Sequence, residues 1–387
     1  MKILKLSMIA ALTIGGCTIA SADSLAQTLK DGKVSGEFTA TYETRNFDKE
    51  NGAYYQDTAY GVGSFALKYE TGVWNNLSLT SKFRAYTTLF EDDSNSVTSH
   101  GRGDAAERFY QDGKNRDIDA EELFVTYTPN SNITVKAGRQ FISTDWINKT
   151  QDAVRIDAKY GNTAIEAIWS ARQGRIYSRD YRPMSDINGN KGVYKLGLTQ
   201  TFTENISATA YGLMVPDVRD IYGGKTNFKF NDTALRAHYA VSSDDKDSTQ
   251  DSTLIDVKVS TKIAGFAPYA GYIKVDDNAA FPGYGASNSG EIIVPFEEGD
   301  YVYSKGAETY YLGVSKSFGD LSSTLLYGNT EYISGSDKLE LTETTLWLGY
   351  ALTSELKANL GYTLVDEDEK SATSDYDQLN ATLTYSF

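Results

Sequence analysis

From about residue 33 onward the chain repeats one pattern: apolar and polar positions alternate with period two in segments of roughly ten residues. In residues 77–89, Leu77, Leu79, Phe83, Ala85 and Leu89 share one face, and Lys82, Arg84 and Tyr86 the other. Residues 153–160 set Val154, Ile156, Ala158 and Tyr160 against Arg155, Asp157 and Lys159. Residues 254–263 oppose Ile255, Val257, Val259 and Ile263 to Asp256, Lys258, Ser260 and Lys262, and residues 356–365 oppose Leu356, Ala358, Leu360, Tyr362 and Leu364 to Lys357, Asn359 and Thr363. Each segment predicts a β-strand with one greasy and one charged side. A sustained helical period is absent after residue 30; the one short amphipathic turn of helix spans residues 24–32 and ends at Gly32.

The connections sort into two kinds. Short ones fall at 129–132, 161–163, 203–205, 264–265, 319–320 and 353–354, and long polar ones at about 89–119, 173–191, 242–252, 276–306 and 366–375. Tight turns at one rim and long loops at the other describe an outer-membrane β-barrel. Seventeen strands are plain, but single-chain bacterial barrels have even numbers, and parity together with loop alternation adds residues 218–230, with Tyr222, Gly224, Thr226, Phe228 and Phe230 outward and a turn at Asn231-Asp232. The fold class expected is therefore all-β: a transmembrane antiparallel barrel of 18 strands, with short periplasmic turns and long extracellular loops. Backbone groups in hydrocarbon must be paired, so the last strand, LNATLTYSF, must close on the first, where Val34, Phe38, Ala40 and Tyr42 form the apolar face. A soluble β-sandwich is the alternative, and it leaves the loop alternation unexplained.

The start of the chain reads differently. Lys2 and Lys5, an apolar run from Leu6 to Ile14 and the small-residue site Ala20-Ser21-Ala22 form a secretory signal, residues 1–22, with residues 23–387 as the barrel domain and 23–33 as a periplasmic lead-in. Two other readings stay open: an uncleaved anchor, and lipidation at Cys17 after Ile14-Gly15-Gly16. Cleavage after Ala22 removes Cys17, the single cysteine, and with it disulfide and thiolate chemistry. It also removes two of the 37 basic residues, leaving 35 against 52 acids, a net charge of −17. Such a balance argues against nucleic acid or anionic lipid as a partner, and favours cations, or simply solubility.

The lead-in and first strand SLAQTLKDGKVSGEFTATYETRNF, the segment VKAGRQFISTDWINKTQDAV and the terminal strand resemble the Opr-type porins of the Campylobacter group, including their major outer membrane protein, and more distantly the OprD-like channels. The resemblance implies an 18-stranded barrel narrowed by inward-folded loops, and a closing aromatic terminus, Leu383, Tyr385 and Phe387, read by the barrel-assembly machinery. The chain departs from that pattern in the link after the fifth strand: Ser143 to Gln151 is short for a constriction loop, so the narrowing is expected to be shared with 173–191 or 276–306.

Alternation places Lys82, Arg84, Lys136, Arg155, Lys159, Arg172 and Arg236 toward the lumen, with Glu37, Glu43, Glu122, Asp157, Glu166 and Asp256 as inward acids. A wide barrel holds water, and opposed rows of charge set what passes; each single charge can equally be no more than a solvated lumen group. Arg139 shares parity with the lipid-facing Ile133, Val135 and Ala137, so either a bulge turns it inward or it lies above the bilayer; the inward reading is preferred. Asp145 and Trp146 are the eyelet candidates. Arg172, Arg175, Arg179 and Arg182, with Tyr177 and Tyr181, form either a basic wall or a rim paired with loop acids or lipopolysaccharide phosphates, and Asp276, Asp277, Glu291, Glu297, Glu298 and Asp300 are the acids that could face them.

Other motifs carry less. Asp245, Asp247 and Asp251 have a calcium-loop spacing without its glycine or terminal glutamate, so no metal and no cofactor is expected. Arg102-Gly103-Asp104 resembles an adhesion tripeptide that chance also supplies. An enzyme would want a histidine base, and only His100 and His238 exist, the latter beside Arg236 with Ser207 or Ser260 as conceivable neighbours. The expectation is a porin, not an enzyme, in the outer membrane of a Gram-negative bacterium: a homotrimer passing small hydrophilic solutes and ions by passive diffusion, mildly cation-selective, in contact with outer-membrane lipid and lipopolysaccharide. The alternative is a plugged barrel serving as an adhesin or structural protein.

Overall fold

The structure, a computed structural model, describes residues 22–48, 57–91, 118–245, 250–281, 295–299, 301–368, 370–371 and 375–387. Residues 1–21 of the signal segment, with Cys17, and His100, Arg102-Gly103-Asp104, Asp247, Glu291 and Asp300, lie outside the described residues. A helix α1 (Ala22–Lys30) precedes strands β1 (Lys33–Phe47), β2 (Thr58–Glu70), β3 (Leu77–Glu91), β4 (Ile118–Asn130), β5 (Ile133–Ser143), β6 (Asn148–Tyr160), β7 (Thr163–Tyr177), β8 (Asp180–Asp186), β9 (Val193–Thr203), β10 (Ile206–Val215), β11 (Arg219–Phe230), β12 (Thr233–Asp244), β13 (Ser252–Ser260), β14 (Phe266–Val275), β15 (Glu308–Phe318), β16 (Leu321–Ser334), β17 (Asp337–Ala351), β18 (Leu356–Glu367) and β19 (Tyr376–Ser386).

All pairings are antiparallel, and apart from the closure of the ring each strand lies beside its chain neighbour with one exception. β7 pairs directly with β9 from Thr163↔Gln200 to Ser170↔Val193, while β8 pairs only with the far end of β7. Eighteen strands therefore form the wall and β8 is a supernumerary strand of an inner hairpin. The ring closes as β19 meets β1 from Glu37↔Ser386 to Phe47↔Tyr376, and the Phe387 N–H and C=O both bond Gly36, each at 3.0 Å. Closure leaves no open edge, which is what hydrocarbon demands of a sheet.

The face assignments follow the alternation. Val34, Phe38 and Tyr42 point out of β1, Leu79, Phe83 and Leu89 out of β3, and Leu383, Tyr385 and Phe387 out of the chain's end, all exposed on the outer surface. Residues 219–230 form a barrel strand with Tyr222, Phe228 and Phe230 outward, as parity requires. α1 docks at the terminal rim, where its Thr28 carbonyl accepts the Gly72 N–H at 3.0 Å and its Leu29 carbonyl the Tyr69 hydroxyl. The opposite rim is less uniform than the loop lengths predict, because residues 144–147, 216–218 and 335–336 are short links there.

The interior departs most from expectation. A barrel of this width should hold water throughout, yet the half of the lumen near the long loops is packed with apolar side chains. Wall residues Ile142, Tyr211, Leu213, Ile221, Leu254, Ile273 and Leu341 meet Trp146 and Ile147 of the β5–β6 link, Ile187, and Phe281, Phe296 and Val302 of the β14–β15 connection. A second cluster joins Ile176 and Tyr181 of the inner hairpin to Tyr60 and Val62 of β2. The β7–β9 connection and the described part of the β14–β15 connection fold inward because their aromatic and branched residues find no other surface that removes them from water.

Candidate functional site

Among the described residues, three inward segments shape the lumen. The first is the β5–β6 link, short as expected but not shallow. Trp146 is 1% exposed, its ring lies 4.9 Å from Phe281, and its Nε1–H donates to Tyr211 Oη at 2.7 Å, which in turn lies 2.8 Å from His238 Nε2. Trp146 is thus a packed anchor rather than an open eyelet residue. Asp145 beside it pairs with Lys225 of β11 at 2.5 Å.

The second segment is the β7–β8 hairpin, which runs from β7 across the lumen to β1. Tyr86 donates to the Tyr177 carbonyl at 3.2 Å and Thr41 to the Ser178 carbonyl at 3.5 Å. Asp180 gathers Arg175 at 2.6 Å and Arg182 at 3.6 Å, so these arginines are neutralised inside the hairpin itself. Arg179 at the tip reaches Glu43 at 3.5 Å and Glu297 at 2.9 Å.

The third is the described part of the β14–β15 connection. Its base is pinned by Asp276, whose carboxylate accepts the Thr253 N–H at 2.8 Å and the Asn278 N–H at 2.9 Å; burial raises its pKa, but these donors outweigh that and hold it below the usual value. Tyr301 stacks on Tyr332 of β16 with centroids 4.1 Å apart. The backbone N–H groups of Glu297, Glu298 and Gly299 donate to the Glu343 carboxylate of β17 at 2.7, 3.2 and 3.2 Å. Glu298 meets Arg45 at 2.5 Å, and Arg45 Nε donates to Gln378.

The residues named from alternation sort as follows. Lys82 and Arg84 converge on Glu121 at 2.8 and 2.9 Å, and Arg84 also pairs with Glu37; Arg84 is 1% exposed and so is locked rather than free in lumen water. Lys136 sits 5.2 Å from the Phe124 ring centroid. Arg155 bonds Asp157 at 2.8 Å and Glu166 at 3.0 Å, and Lys195, which alternation did not single out, takes the other oxygen of Glu166 at 2.9 Å. Arg236 pairs with the fully buried Asp256 at 2.6 Å. Glu122 lies 3.8 Å from Lys68. His238 faces Tyr211 rather than a serine.

Arg172 is placed otherwise than expected, and Arg139 sits at a gap in the wall. A register slip leaves Ala171 unpaired between Ser170 and Arg172, so Arg172 falls opposite Asp152, on the parity of the lipid-facing Val154 and Ile156. Arg139 keeps its register opposite Leu123 and Asp152, at the point where the β4–β5 pairing ends beside Gly138, whose φ of +124° suits glycine alone, and from this gap its guanidinium reaches Asp119, which also accepts from Tyr181 of the inner hairpin at 3.2 Å. There it bonds Asp152 at 2.8 Å and Asp119 at 3.0 Å.

Below the Asp145–Lys225 pair the lumen opens into a polar cavity of about 650 Å³, lined by Thr144, Asp157, Lys159, Glu166, Lys195, Thr199 and Arg236 among others. A closed ring with an apolar outer belt, a charged interior and segments folded inward defines an outer-membrane channel protein of the porin class. The profile of the family described as "Campylobacter major outer membrane protein" matches residues 1–230, more than half of the chain, and the chain belongs to that family. Solved structures with the same fold include Pseudomonas aeruginosa OccK3 (OpdO), at 16% identity and a TM-score of 0.73, covering 94% of this chain and 97% of that one. Pseudomonas aeruginosa OpdK with vanillate aligns at 16% identity and TM-score 0.71 over 93% and 99% of the two chains, and Acinetobacter baumannii OccAB1 at 12% and 0.73 over 93% and 97%. Nothing among curated proteins matches.

Proposed function

We propose that the barrel passes small hydrophilic solutes and ions by passive diffusion, without catalysis or cofactor, and with a modest preference for cations. The observation that carries this reading is the polar, charge-lined cavity continuous with the terminal rim of a closed barrel. Where the inner hairpin and the β14–β15 connection meet, Glu43, Glu297, Glu298 and Glu343 stand against Arg45 and Arg179 among the described residues, an acidic excess at the narrowing. Lys82, Arg84, Lys136, Asp145, Arg155, Asp157, Glu166 and Arg236 supply the transverse field of the passage, while Arg139 and Arg172 act on the wall. Residues 1–22 direct export, the Leu383, Tyr385 and Phe387 face is read by the assembly machinery, and the outer belt meets lipid, lipopolysaccharide and two further copies in a trimer.

Purified protein in a planar bilayer is expected to give discrete current steps, and a salt gradient a reversal potential of cation sign. An anion sign removes the selectivity. Because one solved neighbour holds vanillate, an aromatic carboxylate, such a solute belongs in the liposome-swelling panel beside sugars and amino acids. The apolar packing of the long-loop half of the lumen is the one observation that favours a plugged, structural barrel, and a silent bilayer decides for it.

A further inference from the structure

We propose that the width of the passage is set by a latch that joins two inward segments of separate origin: the tip of the β7–β8 hairpin at Arg179 and the 295–299 stretch at Glu297, with Glu343 of β17 as the positioning residue for the latter. The inference rests on the channel reading above. The wall itself is closed by backbone bonds that do not involve these side chains, so the segments could leave the lumen without opening the barrel.

Geometry supports a latch rather than incidental contact. Glu343 is fully buried, and its two oxygens accept three successive backbone N–H groups of the segment as well as the Thr345 hydroxyl at 2.9 Å. An acceptor carboxylate facing a run of N–H groups fixes a backbone in one place, as a neutral side chain with one acceptor oxygen cannot. Glu297, placed by that nest, accepts from Arg179 at 2.9 Å, and Trp347 Nε1–H donates to its other oxygen at 3.4 Å. Arg179 also touches Glu43, which Asn380 of β19 holds at 2.6 Å. The hairpin tip is thereby tied to the β17–β19–β1 side of the wall, far along the ring from its own base on β7.

The consequence is mechanical. Removing either end of the Arg179–Glu297 pair, or the Glu343 nest, unties the two segments from each other, leaving the hairpin on Tyr86 and Thr41 and the 295–299 stretch on Arg45, and widens the passage between them. The Arg179 and Glu297 side chains keep 35% and 21% exposure, so exchange with water offsets much of the pair's attraction and the latch can open without unfolding.

The experiment compares single-channel currents of wild type, Arg179→Gln, Arg179→Lys and Glu343→Gln, each first checked for a folded barrel by heat-modifiable migration in gels. Conductance is expected to rise about two-fold or more, with added open-channel noise, in Arg179→Gln and Glu343→Gln, and to return toward wild type in Arg179→Lys, which can still reach Glu297. Should Glu343→Gln fail to fold, Arg179→Gln carries the test, since Arg179 lies on the hairpin tip and not in the wall. Equal conductance in wild type and variants overturns the latch and leaves the channel reading intact. A silent wild type with conducting variants supports the latch as a closed gate and removes passive diffusion; silence throughout overturns both.

Discussion

Trp146 offers the sharpest test of how the lumen is built. It occupies a left-handed backbone conformation, φ +67°, which a bulky residue adopts only when its surroundings compel it. Those surroundings are the Phe281 ring at 4.9 Å, Tyr303 at 6.0 Å and the Tyr211 hydroxyl at 2.7 Å. Replacing a fully buried tryptophan by alanine removes its transfer free energy and leaves a cavity, about 3–5 kcal/mol together. Relief of the backbone strain does not offset this, because alanine tolerates positive φ hardly better. Trp146→Phe keeps most of the ring contact and loses the donated hydrogen bond, worth about 1 kcal/mol, and Tyr211 keeps His238 as a partner. Urea unfolding of the refolded protein in liposomes, followed by heat-modifiable migration and by the remaining tryptophans, measures both. A loss under about 1 kcal/mol for Trp146→Ala, or equal losses for the two variants, would refute the claim that the packed ring holds the β5–β6 link inside the barrel.

Other outcomes follow from the same contacts. A Cβ at Gly223 would lie 2.1 Å from Tyr211 Oη, whose ring is tied to Trp146 and His238, so Gly223→Ala should cost about 1–3 kcal/mol in the same unfolding assay. Deleting Phe387 removes both bonds to Gly36 and the ring beside Phe38, so the amount of folded protein in isolated outer membranes should fall far more than the conductance of what does assemble. Arg172→Ala, on the lipid-facing parity, should leave single-channel current within error of wild type, whereas Lys225→Ala, which frees Asp145, should change it measurably.

Much of this molecule is legible in its alternation of residues, and the reason is physical. A strand between lipid and water must present opposite chemistry on its two sides, so period two reports directly which side chains meet which solvent. That is why strand β11 could be recovered from parity, why Lys82, Arg155 and Arg236 fall on the inner face, and why LNATLTYSF reads as the closing strand. Alternation fails where the register slips: one unpaired residue at Ala171 moves Arg172 to the other face, and nothing local in the sequence marks it. It is silent on the long connections, whose courses depend on partners far along the chain. Only the tertiary structure shows that 173–191 contains a strand, that Trp146 is packed rather than exposed, and that Glu343, one carboxylate among many on polar strand faces, receives three backbone donors from a segment more than forty residues away. The sequence determines a wall because solvent on each side selects each residue in place; the narrowing inside that wall is a matter of distant surfaces meeting, and those meet only once the barrel has closed.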